Sequence, residues 1–179
     1  EKTVEEIITT LTTDDVRNAC DLFAQTFKDS NGVDGRVSIE VDPRFARDTK
    51  STIDQGKDLW RIISRPNLLI KVPATVEGLP AITELISQGI SVNVTLIFSV
   101  NRYKQVLDAF TAGLEKRLAS GKAITDIYSV ASFFISRIDS EVDKQLPTDS
   151  ELRGSIAIAN AILAYDAYQT FENTQRWQK

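Results

Sequence analysis

Histidine and methionine are both absent from this 179-residue chain, and Cys20 is its only cysteine. Without histidine, Ser-His-Asp and Cys-His catalysis and histidine-built metal sites are excluded. A single cysteine permits no internal disulfide and no cysteine cluster for zinc, and it suits a reducing, cytoplasmic setting. Cys20 falls with Val16, Ala19, Phe23 and Phe27 at helical spacing, in a helix expected near 14–27. It therefore reads as a core cysteine rather than a nucleophile. Long apolar runs are lacking too: the longest, such as 92–98, are far too short to span a bilayer. The first residues have neither the basic nor the apolar segment of a secretion signal, so none is expected. The formal charge of −4 supplies no basic field for nucleic acid or anionic lipid. Neither a nucleic acid nor a membrane is expected as a partner, and any bound phosphate must be gripped by local groups.

What remains is an ordinary globular composition, 42% apolar and 26% charged, enough for one domain over 1–179. Short segments rich in β-branched residues alternate with helical patterns. Strands are predicted at 36–41, 68–72, 91–98 and 127–135, and helices follow at 48–64, 78–87, 101–119 and 151–175. The helix at 48–64 faces inward with Ile53, Gly56, Leu59, Trp60 and Ile63. That at 101–119 uses Tyr103, Val106, Leu107, Phe110 and Leu114, with Ser99 as its N-cap. The last is assigned an inward stripe of Ile156, Ala159, Leu163, Tyr168 and Phe171. Such alternation implies right-handed crossovers and a parallel sheet.

Strand parity separates two faces. Val37, Ile39 and Val41, then Leu68, Ile70 and Val72, then Val92, Val94 and Leu96 are suited to covering helices. The opposite face collects Glu40, Lys71, Asn93, Thr95 and Ser132 late in their strands. A doubly wound sheet would be apolar on both faces. Polar groups on one face, near the C-terminal ends of parallel strands, indicate a (β/α)8 barrel. Eight strands and about 250 residues close such a barrel. The fold expected is therefore α/β, a partial TIM barrel of four consecutive parallel strand–helix units, cut from a longer chain.

Lys71, between Ile70 and Val72, is the costly residue of that inner face, because burial disfavours its charged form. One reading pairs it with Glu40 as a structural ion pair. The other makes it an amine nucleophile that forms an imine with a carbonyl, helped by an acid/base. Glu40 is the candidate acid/base, Thr95 a hydroxyl that fixes the water, and Asn93 a ligand for a substrate hydroxyl. Arg137, just past the fourth strand, could grip a phosphate bidentately, or pair with Asp139 or Glu141. Asp42-Pro43 reads as a rigid turn. Asn93-Val94-Thr95 is formally a glycosylation sequon, but it lies in a strand expected to be buried.

Four blocks resemble the transaldolase family, in its order and with its spacing, over nearly the whole chain. They are Val37-Ser38-Ile39-Glu40-Val41-Asp42-Pro43-Arg44, Leu69-Ile70-Lys71-Val72-Pro73-Ala74-Thr75 with Glu77-Gly78-Leu79, Ile90-Ser91-Val92-Asn93-Val94-Thr95-Leu96-Ile97-Phe98-Ser99, and Ser129-Val130-Ala131-Ser132-Phe133-Phe134-Ile135-Ser136-Arg137. The resemblance implies a Schiff base on Lys71, with Glu40 and Thr95 around the catalytic water and Asn93 on substrate hydroxyls. It implies that Ser132 and Phe134 line the site, that Arg137 holds the substrate phosphate, and that no cofactor or metal is used. In family terms the strands are the third to sixth. The family's cleavage aspartate and a second arginine have no match here. The implied reaction transfers a dihydroxyacetone unit from fructose 6-phosphate or sedoheptulose 7-phosphate to an aldose phosphate, in the pentose phosphate pathway. Two alternatives are a fructose-6-phosphate aldolase-like enzyme, in which water ends the cycle, and a non-catalytic folding or association fragment. By itself the chain is expected to be inactive and to self-associate through its open sheet edges.

Overall fold

Four parallel strands, β1 (Val37–Glu40), β2 (Leu68–Pro73), β3 (Val92–Ile97) and β4 (Ser129–Phe133), lie side by side in sequence order. The computed structural model describes residues 3–179. Helices α1 (Val4–Leu22) and α2 (Ala24–Asp29) precede β1. Helix α3 (Thr49–Ile63) joins β1 to β2, α4 (Gly78–Ser87) joins β2 to β3, and α5 (Val100–Ala119) joins β3 to β4. After β4 come α6 (Ser136–Val142), α7 (Ile156–Glu172) and the short α8 (Gln175–Gln178). This is the strand–helix alternation and the partial-barrel fold that the sequence implies.

Local chemistry explains where the elements stop. Asp48 and Ser99 cap α3 and α5 by accepting from the backbone N–H of Ser51 and Arg102. Ser64, left-handed at φ 52°, ends α3 just before Pro66. Four expectations need correction. The first helix starts at Val4, not residue 14, on a Thr3/Glu6 capping box, and it breaks at Phe23, which is half exposed. Its early turns are threonine-rich, and Thr10, Thr12 and Thr13 satisfy their hydroxyls on carbonyls a turn back, so neither propensity nor period marked them. Helix α6 was not foreseen, and α7 begins at Ile156 rather than 151. The α7 face turned inward is Ala157, Ala164 and Ala167, while Ala159 and Leu163 are exposed. That helix is apolar nearly all round, so its period defined no unique stripe.

The core lies between the helices and one sheet face. Ile39, Val41, Ile70, Val72, Val92, Val94 and Ile97 meet Leu59, Ile63, Ile82, Leu85, Ile86, Tyr103, Val106 and Leu114, all buried. Buried Asn67 sews the N-terminal helix to this layer, donating through Nδ2 to the carbonyls of Cys20 (2.9 Å) and Gly35 (2.8 Å). The opposite face is concave. Arg36, just before β1, lays its guanidinium carbon 3.9 Å from the ring centroid of Tyr128, just before β4. Closer in, the short side chains of Ser38 on β1 and Asn93 on β3 meet at 3.1 Å across β2, though offset by two residues along the strands. Two flat strand spacings of about 9.6 Å plus that offset exceed their reach, so the strands curl as a barrel wall does. Among the described residues no strand pairs with the outer edge of β1 or of β4.

Helices α4 and α5 pack closely at Gly113. A Cβ placed there would lie 2.6 Å from the Cβ of Ile86 and 2.8 Å from the carbonyl oxygen of Thr83. Gly113→Ala should therefore lower stability by roughly 1–3 kcal/mol, the usual cost of overpacking. A fall in the denaturation midpoint followed by circular dichroism is expected, and an unchanged midpoint would contradict this contact.

Candidate active site

Register decides which polar side chains meet. Parallel pairing sets Glu40 of β1 opposite Lys71 of β2, and Lys71 opposite Asn93 of β3. Directly paired residues project to the same side, so the three form a row across the concave face. Lys71 Nζ lies 3.5 Å from Glu40 Oε2. Sequence alone suggested a buried lysine, but its side chain is 30% exposed and that of Glu40 46%. The reason is geometric, since both side chains stand on the open face of the four-stranded sheet. An ion pair so exposed is worth about 1 kcal/mol or less. It can orient the amine, yet a substrate can displace it at little cost.

Asn93 is the hub beside them. Its Nδ2 donates to Ser38 Oγ (3.1 Å), and its Oδ1 accepts from Ser132 Oγ (2.9 Å). The amide is thus oriented from β1 on one side and β4 on the other. Ser132 lies on the concave face, which settles the parity of β4, with Ala131 and Phe133 facing the helices. Ser38, two residues before Glu40 on β1, shares this face by alternation, and its partnership with Asn93 depends on strand order. Thr95 follows one pleat beyond Asn93, opposite Pro73, and is buried.

Arg137 opens α6 above the end of β4. Neither carboxylate considered as its partner is engaged with it. Asp139 accepts from the Ala157 N–H at the start of α7 (2.9 Å), and Glu141 pairs with Lys144 (2.6 Å). The Arg137 guanidinium lies instead over the Phe134 ring, 4.5 Å from its centroid. Phe134 in turn stacks on Phe98 at 5.2 Å. A cation held on an aromatic face, with its N–H groups free of carboxylates, keeps its donors available to an anion. Phe98 escaped notice from sequence because strict alternation puts it on the helix side of β3.

Other singled-out residues have structural roles. Asp42 caps a 3-10 turn at Pro43–Phe45 by accepting from Arg44 N–H. The Arg44 guanidinium, bonded to the same carboxylate, holds it below the usual range. Burial pushes the Cys20 thiol up, away from nucleophilic use. Among the described residues no three His, Cys, Asp or Glu side chains converge as metal ligands, and no helix is long and apolar enough to cross a membrane.

Comparison with known proteins bears on the whole chain. Residues 1–178 match the family model for transaldolase/fructose-6-phosphate aldolase. A transaldolase of Mycolicibacterium paratuberculosis is 58% identical over 181 aligned residues, covering 98% of this chain and 48% of that protein. Transaldolases of Mycobacterium leprae (57% identical) and Mycobacterium tuberculosis strain CDC 1551 (55% identical) align with the same coverage. The chain spans about half the length of the curated relatives it matches.

Proposed function

The chain belongs to the transaldolase/fructose-6-phosphate aldolase family, and we propose that it forms the imine-making wall of a transaldolase barrel, the third to sixth strands. The observation that carries this reading is the row Glu40, Lys71 and Asn93 on the open concave face, with Arg137, which pairs with no carboxylate among the described residues, on the Phe134 ring just beyond β4. Lys71 Nζ attacks the C2 ketone of fructose 6-phosphate or sedoheptulose 7-phosphate. Glu40, with a water fixed by Thr95, moves the protons that let the carbinolamine lose water. The protonated imine then draws in the electrons of the C3–C4 bond, while a carboxylate from the rest of the barrel takes the C4 hydroxyl proton. An aldose phosphate leaves, and the enamine on Lys71 attacks an acceptor aldose phosphate. Asn93 and Ser132 hold substrate hydroxyls, Phe134 lines the site, and Arg137 grips the phosphate.

The family model also covers aldolases in which water ends the cycle. The relatives are named transaldolases, which favours transfer, and activity that depends on an added acceptor aldose decides between them. We place the enzyme in the cytoplasm, a setting supported by its free, buried Cys20.

In the full-length enzyme, fructose 6-phosphate followed by borohydride should leave a reduced dihydroxyacetone adduct on Lys71, and Glu40→Gln should slow its formation with binding retained. Peptide mapping that places the adduct on Lys57 or Lys104 would sink the assignment. Arg137→Ala should raise the KM for phosphorylated donors roughly 10- to 100-fold, in line with loss of one charged hydrogen-bonding group, and should weaken discrimination against unphosphorylated sugars. A KM unchanged for both substrate types would remove Arg137 from the phosphate site. The 179-residue chain expressed alone should be inactive and associated, since β1 and β4 each leave an unpaired edge. Light scattering that reports a stable monomer in dilute solution, or measurable turnover in a coupled assay, would contradict that.

A further inference from the structure

Strand β3 changes phase just beyond Thr95. Val94 pairs with Ala131 and Ile97 with Phe133, so β3 spends one residue more than β4 over the same span. The extra residue is Leu96, which takes the left-handed conformation at φ 60°. An L-leucine rarely adopts it, and such residues persist only where their surroundings hold them, often beside a functional site.

The step has a definite consequence. Unbroken alternation after Thr95 would turn Ile97 to the concave face and Phe98 to the helices. Instead Ile97 is fully buried opposite Phe133, and Phe98 stacks on Phe134, with rings 5.2 Å apart and inclined at 28°. Carbonyl directions change in the same way. That of Thr95 accepts from Ala74 N–H in the segment after β2 (2.8 Å), whereas that of Ile97 accepts from Phe134 N–H just beyond β4 (2.8 Å). Helix α7 fixes the result, because Asn160 Nδ2 donates to the Phe98 carbonyl (3.0 Å). Phe98 and Arg137 both line a cavity of about 490 Å³ whose other walls are Ile138, Ser140, Glu141 and Val142 of α6.

We propose that Phe98, turned to the concave face by the left-handed step at Leu96, is a positioning residue. It braces Phe134 beneath the Arg137 guanidinium and so sets the preference for phosphorylated substrates. The inference rests on the reading of Arg137 as the phosphate ligand. Phe98 does not touch the reacting carbons; it acts through the plane on which the guanidinium lies.

Kinetics of variants of the full-length enzyme test it. Phe98→Ala should raise the KM for fructose 6-phosphate about 10-fold with kcat within about 2-fold, the signature of lost ground-state binding. Fructose itself should be little affected. Phe98→Tyr, which keeps the ring, should restore the parent values. Because the two residues act as one unit, Phe98→Ala combined with Arg137→Ala should bind no more weakly than Arg137→Ala alone. Leu96→Gly, which suits a positive φ, should leave KM unchanged, whereas Leu96→Val, which resists it, should act like Phe98→Ala. A raised KM in Arg137→Ala beside an unchanged KM in Phe98→Ala overturns the inference and leaves the phosphate reading intact. Multiplying effects in the double variant, or equal losses of kcat and kcat/KM in Phe98→Ala, overturn it as well. An unchanged KM in Arg137→Ala overturns the phosphate reading and this inference together.

Discussion

Parallel pairing in the register Glu40 to Lys71 to Asn93 is the constraint on which the rest of the structure depends. In a pleated strand every second side chain shares a face, and a slip of one residue would exchange the two faces entirely. The register is held by the helix-covered side. Ile39, Ile70 and Val92 must meet α3, α4 and α5, and each of these neighbours is buried. The polar row is thus placed by apolar packing on the other side of the same strands. The Lys71–Glu40 pair itself, partly exposed on the open face of these four strands, contributes little to holding that register.

The second organising feature is the way α7 returns to the strand ends. Its alanine face, Ala157, Ala164 and Ala167, is small enough for close packing. Asp139 meets its first turn, and Asn160 reaches the Phe98 carbonyl. The helix is clasped at its far end by α8. Arg176 bridges Asp108 and Glu115 of α5, which hold its guanidinium well above its ordinary pKa, and Trp177 packs against Phe110 and Phe171. Exposed ion pairs contribute little singly, so the aromatic cluster is the stronger part of the clasp. Through α7, the outer layer bears on the loop that carries the aromatic stack.

Much of the fold was legible because its signals are local and redundant. Strand β2 with its Ile70 and Val72 pattern, helix α4 ending before Gly89, and the Ser99 cap each follow from a few neighbouring residues. The candidate residues were legible for a related reason. A lysine among branched aliphatics, with polar residues at matching parity on adjacent strands, is hard to explain as core. Where the signal was weak the expectation failed. The threonine-rich start of α1 and the uniformly apolar α7 lack the contrast between faces on which periodicity depends.

What the sequence determined by itself is the alternation of strand and helix, the two faces of β1, of β2 and of β3 as far as Thr95, and the chemical types gathered on one of them. Those properties depend on residues two, three or four positions apart, and the backbone geometry of a strand or helix relates them directly. The parity of β4 and of β3 beyond Thr95 came from the structure. Tertiary structure alone decided that Ser38 and Ser132 both hold Asn93, that Arg137 rests on Phe134 instead of on Asp139 or Glu141, and that Phe98 stacks on Phe134. Each of these depends on which strands are neighbours, on a single left-handed residue at Leu96, or on partners tens of positions away, and no local pattern carries that information.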